Sequence, residues 1–135
     1  YRSDCTRTFA TGPVGAELAE IYELCRAAQL DGLAAIRAGV TGIEADAASR
    51  VKIGAAGRAE QYGHGLGHGV GLDIHEAPTL RSEPTDTLEA GNVVSVEPGI
   101  YIAGVGGVRI EDLVVVTDAG CDLLTHFTKE LVEVG

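Results

Sequence analysis

The 135-residue sequence has no tryptophan, two phenylalanines and four tyrosines, so aliphatic side chains must build its core. They are in good supply, at 45% hydrophobic residues, and a chain of this length can bury a real core as one domain. Cationic side chains are scarce: ten Lys and Arg face twenty Asp and Glu, for a net charge of −10. Nucleic acids and anionic lipid surfaces are bound through basic footprints, so this balance argues against either partner. It is compatible with binding divalent cations, although most acidic chains are simply soluble. Cys5, Cys25 and Cys121 are the only cysteines, far apart, odd in number and without a CxxC. That argues against a disulfide framework and makes a reducing cytosol the default reading. No apolar stretch approaches the ~20 residues that span a bilayer, and no charged segment followed by an apolar run opens the sequence. The expected location is cytoplasmic, unless a targeting segment lies outside this sequence.

The remaining pattern predicts an α+β arrangement, with strands flanking a pair of helices. "YRSDCTRTFA" alternates and reads as a strand, broken by "TGPVG". From about Glu17 to Arg37, Leu18, Ile21, Cys25, Ala28 and Ile36 recur at helical spacing, and Gly39 suits the end of that helix. "TGIE" reads as a capping box, with Thr41 as N-cap and Glu44 three residues on, opening a helix to about Ala55. "RSEPTDTLEAG" is a loop with turn chemistry. "NVVSVEPGIYI" is a strand broken or bent at Pro98, "VRIEDLVVVT" is the strongest strand signal, and "CDLLT" a short last strand.

Three of the four histidines lie in "GHGLGHGVGLDIHEAP", residues 63–78. A helix there would carry four glycines between His64 and Leu72, each costing about 1 kcal/mol relative to alanine. A single flat strand would put His68 and His75 on opposite faces. The glycines instead suggest a bulged or turning backbone, able to bring another segment or a ligand close. Imidazole is the commonest metal ligand and a general acid or base near neutral pH. A glycine-rich loop carrying hydrogen-bonded surface histidines fits the same spacing.

Carboxylates bear on that choice. Glu97 stands in "VVSVEPGIY" and Glu111 in "VRIEDLVVV". Parity puts Arg109, Glu111 and Leu113 on one face and Val108, Ile110, Asp112, Val114 and Val116 on the other. Arg109 and Glu111 could form a surface pair, or a ligand and the arginine that orients it. Asp4, beside Thr6 and Thr8, is equally ambiguous. Convergence of Asp4, His68, Glu97 and Glu111 would give a carboxylate-rich site with one nitrogen ligand, suited to Mn, Co, Fe or Zn. Two such cations would activate water and polarise a carbonyl or phosphoryl oxygen.

Four segments in this order, "SDCTRTF", "HGLGHGVGLDIHEAP", "VVSVEPGIYI" and "GGVRIEDLVVVT", resemble the pita-bread metallopeptidases. "EPGIYI" followed by "GVRIED" is more similar to the Xaa-Pro aminopeptidase and Xaa-Pro dipeptidase (prolidase) branch than to methionine aminopeptidase. The resemblance covers nearly the whole chain. It implies an incomplete pita-bread (creatinase/aminopeptidase) fold, with residues 1–135 as the C-terminal portion of one catalytic domain. It implies a metal-dependent exopeptidase that hydrolyses X–Pro bonds with water activated by two divalent ions, manganese foremost, cobalt or zinc as alternatives. Asp4 and Glu111 match the bridging ligands, and His68 and Glu97 match ligands of the second metal. The Glu97 position also handles protons for the water. His75 matches a histidine that contacts the scissile peptide, His64 an extra histidine facing substrate, and Arg109 a residue that orients the ligands. The implied partners are a peptide with proline at its second position and, in the full-length protein, a second copy of the chain.

The family pattern has one more aspartate ligand, on a strand preceding "SDCTRT", whereas this sequence starts three residues before Asp4. The expectation is therefore a piece lacking the first part of the catalytic domain, binding the first metal poorly and inactive alone. The other readings are methionine aminopeptidase, and a metal-independent pita-bread hydrolase or binding module. The family's branch does not decide between aminopeptidase and dipeptidase.

Overall fold

Residues 1–83 and 86–134 are described by a computed structural model. The helical spacing after Glu17 becomes helix α1, Ala16–Ala35, with Ile21, Cys25 and Ala28 completely buried and Leu18 packed at their margin. The helix ends short of the expected Arg37 because Ile36 turns to extended backbone, at φ −73° and ψ 121°. Its side chain joins a different part of the core from that of Ile21 and Cys25.

Helix α2, Gly42–Ala55, opens on the capping box. The Glu44 N–H donates to Thr41 Oγ1 at 3.3 Å, and the Thr41 N–H donates to Glu44 Oε2 at 2.9 Å. Two N–H groups that the helix leaves without partners are thereby satisfied. Thr41→Ala is expected to lower unfolding stability by about 1 kcal/mol, read from urea denaturation. Thr41→Ser should retain most of it, and an alanine variant as stable as the parent would remove the cap from the account.

Nine short strands complete the order: β1 Phe9–Ala10, β2 Gly67–Gly69, β3 Glu76–Leu80, β4 Val93–Val96, β5 Gly99–Ile102, β6 Gly106–Arg109, β7 Asp112–Val116, β8 Cys121–Leu123 and β9 Val132–Glu133, all among the described residues. An antiparallel sheet runs β3-β2-β4-β7-β8, β5 and β6 form a separate hairpin, and β1 pairs with β9 in parallel. Val94, Val96, Val114 and Val116 from the sheet pack with Ile36, Ala45, Leu66, Leu80 and Leu88. A second cluster joins Ile21, Tyr22, Cys25 and Ala28 of α1 to Ile100, Val108 and Ile110. Each fully buried Val, Leu or Ile contributes about 1.5–3 kcal/mol, so the aliphatic residues carry most of the core, with Tyr22 and Tyr62 as its buried aromatics.

Two expectations change. The opening segment is not a continuous strand: only Phe9–Ala10 is, because Arg2 donates to the Gly71 carbonyl and Thr6 makes a single bridge to Glu111. "VRIEDLVVVT" is two strands, because Val108 and Arg109 pair with β5 whereas Asp112 onward pairs with β4. The histidine segment holds two strands, β2 and β3, with a register shift between His68 and Gly69, which is the bulging backbone that its glycines suggest. The break near Pro98 holds, since β4 and β5 lie in different sheets. In the loop "RSEPTDTLEAG", Pro84 and Thr85 lie outside the described residues, and Thr87 bridges Thr41.

Candidate metal centre

The chain passes from β4 to β5 through Glu97 and Pro98, and from β6 to β7 through Ile110 and Glu111. Val96 pairs with Asp112, so both switches lie at the same end of the sheet, and each carries a glutamate. Strand β2 lies beside β4, with the His68 N–H donating to Ser95 Oγ at 3.0 Å. The opening segment is held across this end where the Glu111 N–H donates to the Thr6 carbonyl at 3.1 Å, and it brings Asp4 with it. One ligand atom from each of Asp4, His68 and Glu111 lies within 4.8 Å of the others. His68 Nε2 is 3.8 Å from Asp4 Oδ2 and 2.9 Å from Glu97 Oε1. The surface-pair reading of Arg109 and Glu111 fails, since Glu111 is 1% exposed.

Hydrogen bonds orient these groups. His68 Nδ1 lies 3.0 Å from the Gly69 carbonyl, which can only accept, so Nδ1 carries a proton and Nε2 is turned toward the carboxylates. Burial pushes the His68 imidazolium pKa down, but hydrogen bonds to Glu97 and Gly69 and the charges of Glu97 and Asp4 outweigh it and raise it. Burial acts upward on the Glu97 carboxyl, and hydrogen bonds from His68 and Ser95 overcome it and hold Glu97 below the usual carboxylate range. Glu111 is the contrasting case. Burial pushes it up to about 7, the hydroxyl of Thr6 offsets part of this, and the negative charges of Glu97 and Asp4 add to it.

Thr6 Oγ1 donates to Glu111 Oε2 at 2.6 Å and accepts from Arg109 Nε at 3.1 Å. The other oxygen, Glu111 Oε1, is buried without a hydrogen-bond partner. A buried carboxylate oxygen left this way is costly, and a cation is the group that would satisfy it. Carboxylates with a single imidazole match the donor set of a hard or borderline divalent ion. By this test the residues fit a metal.

A cavity of about 250 Å³ adjoins the cluster, lined in part by His64, His68, His75, Glu97 and Arg109. The ring centroids of His68 and His75 are 4.2 Å apart despite their opposite parity, because the chain turns between β2 and β3. His64 Nδ1 donates to the Gly65 carbonyl at 2.7 Å, and its Nε2 is 2.9 Å from the Tyr101 hydroxyl. Arg109 Nε is also 3.9 Å from Glu97 Oε2. Every residue singled out in the sequence thus lies in the cluster or on its cavity.

Other contributors carry no such sequence signal. Ser95 Oγ donates to Glu97 Oε1 at 2.8 Å, and Thr6 links Arg109 to Glu111. Both share parity with a recognised carboxylate two residues away, Ser95 with Glu97 and Thr6 with Asp4, which is the one hint available. Tyr101 has no comparable hint.

The pattern of metallopeptidase family M24 matches residues 1–118. An uncharacterized peptidase of Bacillus subtilis is 49% identical over 98% of this chain and 37% of its own length. A solved Xaa-Pro dipeptidase from Bacillus anthracis superposes with a TM-score of 0.96 at 51% identity, covering 98% of this chain and 37% of that one. An X-Pro aminopeptidase structure from Thermotoga maritima gives a TM-score of 0.94 at 38% identity, over 98% and 38%. The chain therefore spans a little over a third of the length of the proteins it matches.

Proposed function

This chain belongs to metallopeptidase family M24 and has its pita-bread α+β architecture, and from that footing we propose that the protein hydrolyses X–Pro peptide bonds as a metal-dependent exopeptidase. The observation that carries the reading is the meeting of Asp4, His68 and Glu111 around a buried, unpartnered Glu111 oxygen. The names of the similar structures, an Xaa-Pro dipeptidase and an X-Pro aminopeptidase, support the substrate class.

Asp4, His68, Glu97 and Glu111 would hold two divalent ions, manganese foremost, with cobalt or zinc compatible with the same donors. When bound, the ions supply a water activated at neutral pH and an electrophile for the carbonyl oxygen. The protein's own groups do the rest. Glu97, anchored by Ser95 and His68, offers a carboxylate oxygen to take the proton from water. His75, beside His68 on the cavity wall, can donate to the oxygen of the scissile carbonyl as charge develops there. His64, steadied by Tyr101 and Gly65, faces the space a substrate would fill. The carboxylates would also attract a free substrate amine, which fits an exopeptidase. An X–Pro bond has no N–H to satisfy, so the site needs no acceptor for one.

The three cysteines are free, which suits a reducing cytoplasm, and no helix among the described residues is long and apolar enough to cross a membrane. A homodimer is the expected assembly, to be read by sedimentation. The deciding assay strips the full-length protein with chelator, restores Mn, Co or Zn in turn, and supplies X–Pro dipeptides, longer X–Pro peptides and Met-Ala peptides. X–Pro cleavage should vanish on stripping and return with metal, and its length preference separates dipeptidase from aminopeptidase. Cleavage that survives complete metal removal, or a preference for Met-Ala, overturns the reading.

A further inference from the structure

Arg7 lies on the side of the opening segment turned away from the carboxylate cluster. Thr6 reaches Glu111 while Arg7 reaches Asp112, one residue on along the facing chain. The Arg7 side chain is 5% exposed. Its Nη1 donates to the carbonyls of Thr6 at 3.0 Å and Glu111 at 2.6 Å. Its Nη2 donates to Asp112 Oδ1 at 2.7 Å and the Phe127 carbonyl at 2.9 Å, and Nε donates to the Thr128 carbonyl at 2.8 Å.

We propose that Arg7 is a positioning residue for the metal centre, setting the spacing of the Asp4 and Glu111 carboxylates and tying that spacing to the C-terminal segment at 127–128. The inference rests on the reading of Asp4 and Glu111 as metal ligands. Asp4 is joined to Glu111 by one isolated backbone bridge at Thr6, not by a ladder. A single backbone rung, with the Thr6 hydroxyl bonded to Glu111 beside it, fixes the two chains at one point only. The guanidinium closes that rung by holding both carbonyls from one rigid plane.

Charge balance does not explain the arrangement. Asp112 is fully buried, but Lys129 Nζ already pairs with its Oδ2, and Gln29 Nε2 donates to the same oxygen at 2.9 Å. What Arg7 adds is a planar fork with five N–H donors, which a lysine ammonium cannot reproduce. The far side of the fork rests on carbonyls of the C-terminal segment, so that segment is part of the brace.

The test is manganese(II) titration calorimetry on the metal-stripped full-length protein, with thermal melts of the same samples. Arg7→Lys keeps the charge beside Asp112 and loses the fork. It should weaken manganese binding about tenfold or more, in the range that orienting partners contribute, with the metal-free melt shifted by only a few degrees. Affinity within twofold of the parent overturns the proposal, because charge alone would then suffice. Lys129→Met keeps Arg7 and removes the other cation, so it tests the same point even where Arg7→Lys folds poorly. Its affinity should stay within twofold, and a tenfold loss overturns the proposal. Asp4→Asn separates the two readings. If it leaves manganese affinity unchanged, the assignment of the ligands fails. If it weakens affinity and Arg7→Lys does not, only the role of Arg7 fails.

Discussion

Replacing Glu111 by glutamine is expected to cut manganese affinity of the full-length protein at least about 100-fold while leaving the metal-free fold no less stable. Removing a group that merely orients a ligand costs roughly 10–100-fold, so removing a proposed ligand should reach or exceed the top of that range. Glutamine has nearly the same volume and its carbonyl can still accept from Thr6, so packing should survive. The metal-free protein has reason to gain. Burial first, and then repulsion from Glu97 and Asp4, raise the Glu111 carboxyl from 4.5 to about 7. A raised acid pKa means that the folded state disfavours the anion. The penalty is absent below 4.5, grows as pH rises toward about 7, and is constant above it. Urea unfolding of chelated parent and Glu111→Gln should therefore show the variant favoured more at pH 8 than at pH 5.5. In the parent, metal binding must displace the Glu111 proton, so manganese affinity should fall below pH 7. A variant that still binds manganese within tenfold of the parent would remove Glu111 from the metal site.

The parts of this molecule that sequence discloses are those decided over a few residues. Thr41 and Glu44 are three apart, and their reciprocal hydrogen bonds depend on little else. Pro98 stops a strand wherever it stands. The switch between β6 and β7 is different. Val108 is buried before it, and every residue from Ile110 to Val114 is buried across it, so burial runs straight through a point where the chain changes sheets. Strands β1 and β9 have two residues each and exist only because they find one another across the chain.

The same division runs through the site. The identities of Asp4, His68, Glu97 and Glu111 come from resemblance, and their residue types suggest a metal. Their convergence depends on pairing between β2, β4 and β7 and on the bridge at Thr6, none of which has a local signature. Glu111 reads equally well as a surface or an interior residue from parity alone, because both faces of its segment are covered. Arg7 is invisible for a related reason. An arginine in a short polar stretch reads as solvated, and its five acceptors come from residues near it and from more than a hundred positions away.

Gly67→Ala should destabilise the protein by about 3–5 kcal/mol, the range reserved for severe core defects, and should dismantle the proposed metal site with it. Gly67 begins β2, between β3 and β4. Its backbone is ordinary, since it is not among the glycines with positive φ, so alanine would meet no torsional objection. The obstacle is space. A Cβ there would overlap the Ser95 carbonyl oxygen and lie 2.7 Å from its carbon. These are main-chain atoms of β4 and cannot rotate away, so β2 or β4 must move. Either shift separates the His68 N–H from Ser95 Oγ, and Ser95 is also the donor that anchors Glu97. The steric fault thus reaches two proposed ligands through one serine. Gly63→Ala is the matched control in the same segment, because a Cβ there meets nothing within 4 Å. It should change stability by no more than about 0.5 kcal/mol. Urea denaturation and manganese titration of both variants give the comparison. If Gly67→Ala unfolds within 1 kcal/mol of the parent and still binds manganese, close contact between β2 and β4 does not build the site. The expected result makes Gly67 a requirement of shape rather than of flexibility: its missing side chain lets β4 lie close enough for His68 and Glu97 to meet.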